Sequence, residues 1–303
     1  LCVPFMSGFH RAVLMETMGG AGAGVLLALS AAIIGASANP DRGFAFILTL
    51  QAIVAVVVLL AIPALGEPSS LLPAAAFIAG VQALLIPVSF ALRRPPITGG
   101  SRKLSDKGGS ALHPAVLMKA CAYFVFSAAV GVLWVFSGVL GSIAGLADGP
   151  VGQALAVGNI AAIAGSLLAA LITSRFGRIA PVLAVCLMLG LSVLLFTNEM
   201  TVGEFYVASG LFLFAWGGGL PFLMGVVAET DPTERVTALL PVLAFAGMGV
   251  GPALVGFAPA GWDLFHQVAI ATLALTILAF VLFVAAQLRW PSPLASAPYE
   301  MTP

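Results

Sequence analysis

Nine apolar stretches of about 20 residues or more follow one another along this chain of 303 residues. As a helix, a stretch of that length crosses roughly 30 Å of hydrocarbon at about 1.5 Å per residue. The predicted spans are 12–37, 43–64, 70–92, 114–142, 150–173, 179–197, 203–228, 236–258 and 264–288. Short links of Pro, Gly and charged residues separate most of them. One connection is long: RRPPITGGSRKLSDKGGSALH, residues 93–113, which is polar and contains four glycines. The expected fold class is therefore all-α, a polytopic membrane helix bundle with the lipid bilayer as its solvent.

Composition narrows the function classes. Hydrophobic residues make up 61% of the chain and charged residues 8%, against about 25% charged in a soluble domain. The 34 glycines and 20 prolines would damage soluble helices. In lipid they are tolerated, and small residues let helices approach closely. With zero net charge and no broad basic face, no nucleic-acid partner is expected. Cys2, Cys121 and Cys186 are scattered, so they read as small core residues rather than a disulfide framework or metal site. No metal or cofactor is expected.

Lys and Arg set the expected orientation. With the turn Asn39-Pro40-Asp41-Arg42 in the cytoplasm and strict alternation, every Lys and Arg except Arg11 falls on the cytoplasmic side. By the positive-inside rule this puts the chain's N-terminus outside and its C-terminus inside a plasma (inner) membrane. Trp262 and Trp290 stand near span ends, where an aromatic belt forms.

One pattern occurs twice. GGAGAGVLLALSAAIIGASANPDRGFA, residues 19–45, is a glycine-patterned span, an acidic-Pro-Arg turn and the start of a second span. WGGGLPFLMGVVAETDPTERVTA, residues 216–238, is a weaker copy. Aligning Arg42 with Arg235 also aligns Ala45 with Ala238. Repeats of this kind are a habit of transporters.

Read together, these features resemble the major facilitator superfamily of secondary transporters. GGAGAG followed by NPDRGFA looks like that family's fourth helix and the turn after it. SRFGR, residues 174–178, is similar to its acid-Arg-x-Gly-Arg loop motif in the C-terminal-half copy, with Ser174 where the acid usually stands and Ile179 where another base is common. ETDPTERVTA resembles the turn between the tenth and eleventh helices. Gly247 to Gly256, GMGVGPALVG, resembles the Gly-Pro helix motif, here in the eleventh helix. The resemblance implies helices four to twelve of a twelve-helix fold. Residues 1–92 would be the remaining three spans of the N-terminal bundle, 93–113 a cytoplasmic linker, 114–290 the C-terminal six-helix bundle and 291–303 a cytoplasmic tail. Together with a first residue of Leu rather than Met, it sets the expectation of a transporter lacking its first three helices. It also implies a monomer, and alternating access to a small solute that the sequence does not identify.

Polar groups inside spans are the pathway candidates, because an unpaired polar group in hydrocarbon is costly. Glu16 is the acid singled out within a span; desolvation would favour its protonated form, giving it a role in proton coupling or in binding a cationic group. The competing reading has Glu16 at the outer interface beside His10 and Arg11. Asn159, Gln51 and Gln82 are available to hydrogen-bond a solute, although interhelical bonding is the commoner fate of such amides. Tyr123, Trp134 and Trp216 are candidate cavity aromatics. Trp216 ranks first because Gly217, Gly218, Gly219 and Pro221 follow it, as a gate hinge or as a close-packing site. Lys119 is expected to snorkel to the interface.

By resemblance, Asp41, Arg42, Arg175, Gly177, Arg178, Glu234 and Arg235 form a cytoplasmic gate and loop motif, with Glu229 and Asp231 as further acids within reach. Gly247, Gly251, Pro252 and Gly256 form a helix-bend motif. An enzyme is not expected: no HExxH, no Ser/His pair and no carboxylate pair occurs within the spans, and His10, His113 and His266 fall at span ends. A channel would require rings of charge or a carbonyl filter motif, and neither occurs. The alternative to a transporter is a truncated, non-transporting membrane protein or a partner-dependent scaffold.

Overall fold

The structure, a computed structural model, describes residues 24–35, 39–61, 80, 113–172, 177–259 and 261–291. These form helices α1 (Gly24–Gly35), α2 (Pro40–Ala61), α3 (Pro114–Ile143), α4 (Asp148–Ile172), α5 (Ile179–Leu195), α6 (Val202–Thr230), α7 (Arg235–Val255) and α8 (Leu264–Arg289). No strand occurs among the described residues. Five of the helices, α3, α4, α6, α7 and α8, are long and apolar enough to cross a membrane. The chain is thus a membrane-type helix bundle. The predicted span 70–92, the link 93–112, most of the first predicted span and the tail beyond residue 291 lie outside the described residues, so the ninefold span count has no structural counterpart here.

Helix starts follow local chemistry. His113 caps α3, its Nδ1 accepting the Ala115 N–H at 3.2 Å, and Pro114 supplies a first residue that needs no hydrogen-bond partner. Thr201 and Glu204 make a reciprocal capping box on α6. Asp263 accepts the His266 N–H at 2.9 Å and caps α8. Because that backbone N–H favours the carboxylate, the Asp263 acid is held below its ordinary range.

The bundle is organised around α6, which is buried over most of its length and is packed by α2, α3, α4, α5 and α7. Two seams of small residues allow this crowding. Along one, Gly217 of α6 lies on the Ala162 backbone of α4, and Gly165 of α4 lies on the Phe214 carbonyl and Gly218 amide of α6. Along the other, Gly251 and Gly247 of α7 lie on the Ala128 and Phe124 backbones of α3, while Gly131 of α3 faces Met248. A β-carbon at any of these glycines would run into a neighbour's main chain, so backbone-to-backbone packing replaces the interlocked side chains of a soluble core. The Gly217–Gly219 cluster is therefore a close-packing site in a continuous helix that also carries Pro221.

Two interhelical hydrogen bonds come from hydroxyls. Thr49 of α2 and Ser166 of α4 meet at 2.6 Å, and Ser192 of α5 donates to the Ala208 carbonyl of α6 at 2.8 Å. Large apolar side chains such as Leu171, Leu187, Ile277 and Leu288 cover the outside, the arrangement a hydrocarbon solvent favours.

The described Lys and Arg residues, Arg42, Lys119, Arg178, Arg235 and Arg289, all belong to helix ends gathered at one end of the bundle. Glu204, Asp148 and Asp263 begin helices at the opposite end.

Candidate functional site

Arg178 directly precedes α5, after Gly177, whose φ of +67° is in the left-handed region that favours glycine. That turn directs the guanidinium inward. Nη1 donates to Asp41 Oδ2 at 2.6 Å, in the first turn of α2, and Nη2 donates to Glu229 Oε1, in the last turn of α6. The Arg178 and Asp41 side chains are buried and that of Glu229 is mostly so. Asp41 Oδ1 lies so close to Gly225 that a methyl group there has no room. Asp41 Oδ1 and Arg178 Nε make no hydrogen bond among the described residues. A partly satisfied ion network is less costly to open than a complete one.

Lys119 is the second cation of this end. The expected snorkelling does not occur: its side chain is buried, and Nζ donates to Thr230 Oγ1 at 2.9 Å and to the Trp290 carbonyl at 3.1 Å. The ammonium thus ties α3 to the ends of α6 and α8, where a hydroxyl and a backbone carbonyl give it better partners than lipid can. Trp290 also packs edge-on against His113 and beneath the Arg289 guanidinium.

Beyond this network lies a cavity of about 260 Å³. Phe44, one helical turn from Asp41, and Met224, just over one turn from Glu229, stand between the network and the cavity interior. The walls come from α1 and α2 on one side and from α3, α4, α6 and α7 on the other. Gln51, Tyr123, Asn159, Trp216 and Trp134 all line it, so five of the seven polar and aromatic candidates weighed from the sequence meet in one place. Trp134 and Trp216 stack at 5.2 Å between ring centres, tilted by 53°. Trp216 Nε1 is buried without a hydrogen-bond partner among the described residues. One Asn159 amide N–H bonds the Leu155 carbonyl of its own helix at 2.9 Å, and no side-chain bond from Asn159 to another helix occurs among the described residues. Among the described residues that line the cavity, none is charged.

The other predicted residues have different places. Arg42 and Arg235 are exposed and make no ion pair among the described residues. Glu234 has φ of +58° and makes no side-chain cap, while Asp231, just after α6, accepts the Val236 and Thr237 N–H groups at the start of α7 at 2.8 and 2.9 Å. The acids of the two turns thus behave differently: Asp41 pairs with Arg178 across the bundle, whereas Glu234, aligned with it, makes no cap bond and Asp231 caps α7. In the helix-bend motif, Gly247 and Gly251 form the α3–α7 seam, Pro252 lies inside α7 and Gly256 ends it. Pro241, also inside α7, lines the cavity; the sequence reading passed over it, although an apolar-flanked Pro in a membrane helix marks such sites. Glu16, Gln82 and Arg175 lie outside the described residues.

The chain matches no protein-family model, no curated protein and no solved structure.

Proposed function

We propose that the chain is a secondary active transporter of a small solute, working by alternating access in the manner of the major facilitator superfamily. One observation carries the reading. A cavity walled by α1–α2 on one side and by the later helices on the other is capped at one end by the Arg178–Asp41–Glu229 network. The network spans the same two groups of helices, so separating them breaks it and opens the cavity to that side. Closure at the other end completes the cycle.

In this reading the Lys- and Arg-bearing end faces the cytoplasm, following the positive-inside rule. The N-terminus of the chain lies outside, its C-terminus lies inside, and residues 93–113 form a cytoplasmic linker. Proton coupling through Glu16 belongs to the same proposal, and unchanged pH dependence of transport in Glu16→Gln removes that part.

Thiol accessibility tests the reading in the full chain, with native cysteines replaced. Gln51→Cys should react with membrane-impermeant reagents from both sides of oriented vesicles. Arg178→Gln should shift that reactivity towards the Lys- and Arg-rich side. Labelling from one side only, unchanged by Arg178→Gln, would instead favour a non-transporting membrane protein.

A further inference from the structure

We infer that the cavity between α1–α2 and the later helices binds an uncharged, planar aromatic molecule carrying a hydrogen-bond acceptor. The inference rests on the transport reading only in taking this cavity as the solute site.

Three observations converge. First, the described lining contains no Asp, Glu, Lys, Arg or His, and most of it is aliphatic or aromatic. An ion brought there loses its water and meets no countercharge, a penalty that neutral ligands escape. Second, Trp134 and Trp216 present a tilted ring pair, with Tyr123 also on the wall. Aromatic faces and edges favour another ring in offset or edge-on contact. Third, Trp216 Nε1 is a buried donor without a partner among the described residues. A buried N–H is ordinarily satisfied; Nε1 has no free surface of its own, so a ligand acceptor reaches it once a neighbouring wall side chain turns aside. Two other polar groups of the wall have partners within their own helices: Ser30 donates to the Leu26 carbonyl and one Asn159 N–H to the Leu155 carbonyl. At about 260 Å³ the space is at the small end of ligand cavities, roughly 300–1,000 Å³, which suits one or two rings.

A set of matched bicyclic probes separates these requirements. Quinoline is neutral and carries an acceptor. Naphthalene is neutral without one, N-methylquinolinium is a cation and 2-naphthoate an anion. Binding to the full chain in nanodiscs is read by saturable quenching of tryptophan fluorescence in mildly alkaline buffer, with empty nanodiscs subtracted for partitioning. Quinoline should bind saturably, and both ions at least about tenfold more weakly. Trp216→Phe keeps the ring but removes the donor, so it should reduce the preference for quinoline over naphthalene by about three- to tenfold. Gln51→Glu places a carboxylate on the wall and should raise N-methylquinolinium binding relative to quinoline.

Saturable binding of either ion as tightly as quinoline overturns the inference. So does an unchanged quinoline-to-naphthalene ratio in Trp216→Phe, or no saturable binding by any probe. Binding in a nanodisc does not require transport. The ligand class can therefore hold while thiol accessibility fails to alternate, or fail while accessibility alternates.

Discussion

Arg178 donates to Asp41, 137 residues upstream, at 2.6 Å and also to Glu229 on α6. One guanidinium thereby joins the start of α2, the start of α5 and the end of α6. Buried Asp41 and mostly buried Glu229 share it, so removing the cation leaves both without their shared partner. Loss of one member of a buried ion network costs about 3–5 kcal/mol. Arg178→Gln is expected to destabilise the closed arrangement by that order and to increase hydrogen exchange at the first turn of α2. Asp41→Asn leaves the Glu229 bond in place and should have the smaller effect. Exchange mass spectrometry on both variants checks the order.

Gly225 tests the same network without touching a charge. Asp41 Oδ1 occupies the space that a side chain at 225 would need, and Ala is otherwise a better helix former than Gly. Gly225→Ala should therefore loosen the first turn of α2 as Asp41→Asn does, despite the gain in helix propensity. A higher thermal midpoint with unchanged exchange at 41–45 would contradict the packing described.

The α3–α7 seam predicts a loss that is independent of ion pairs. Gly251 lies directly on the Ala128 backbone. Gly251→Val must separate the two helices or bend one of them, and overpacking of this kind costs about 1–3 kcal/mol. The midpoint of unfolding in detergent should fall. Gly249, with open space around its would-be β-carbon, should accept Ala with little change.

Lys119 couples three helix ends. Lys119→Met keeps the apolar stem and removes the bonds to Thr230 and the Trp290 carbonyl. Hydrogen bonds from a charged donor contribute about 1.5–3 kcal/mol each. The end of α8 should fray, seen as faster exchange at 286–290 and a red shift of Trp290 emission, while the α6–α4 seam stays protected.

The bundle was legible in the sequence because hydrophobic length and breakers act locally. The predicted spans 114–142, 150–173, 179–197, 203–228, 236–258 and 264–288 agree within three residues at each end with α3 to α8. The cavity residues were legible for a related reason: an amide or an indole inside a span needs a partner or a cavity, and Gln51, Asn159 and Trp216 have the cavity. Pairings were not legible. Nothing in the spacing says that Arg178 reaches Asp41 and Glu229, or that Arg42 and Arg235, which look equivalent to it, remain on the surface. Lys119 was misread because a long cationic stem near a span end suits both snorkelling and burial. Only the tertiary placement of Thr230 and the Trp290 carbonyl decides between them.

The distance between the starts of α2 and α7 tests alternating access most directly. Spin labels at Arg42→Cys and Arg235→Cys, both exposed, report it by pulsed electron resonance in the full chain with native cysteines replaced. Rocking of α1–α2 against the later helices predicts two distance populations in nanodiscs, with Arg178→Gln enriching the longer one. A single narrow population that Arg178→Gln leaves unchanged would contradict a moving gate and leave a static bundle.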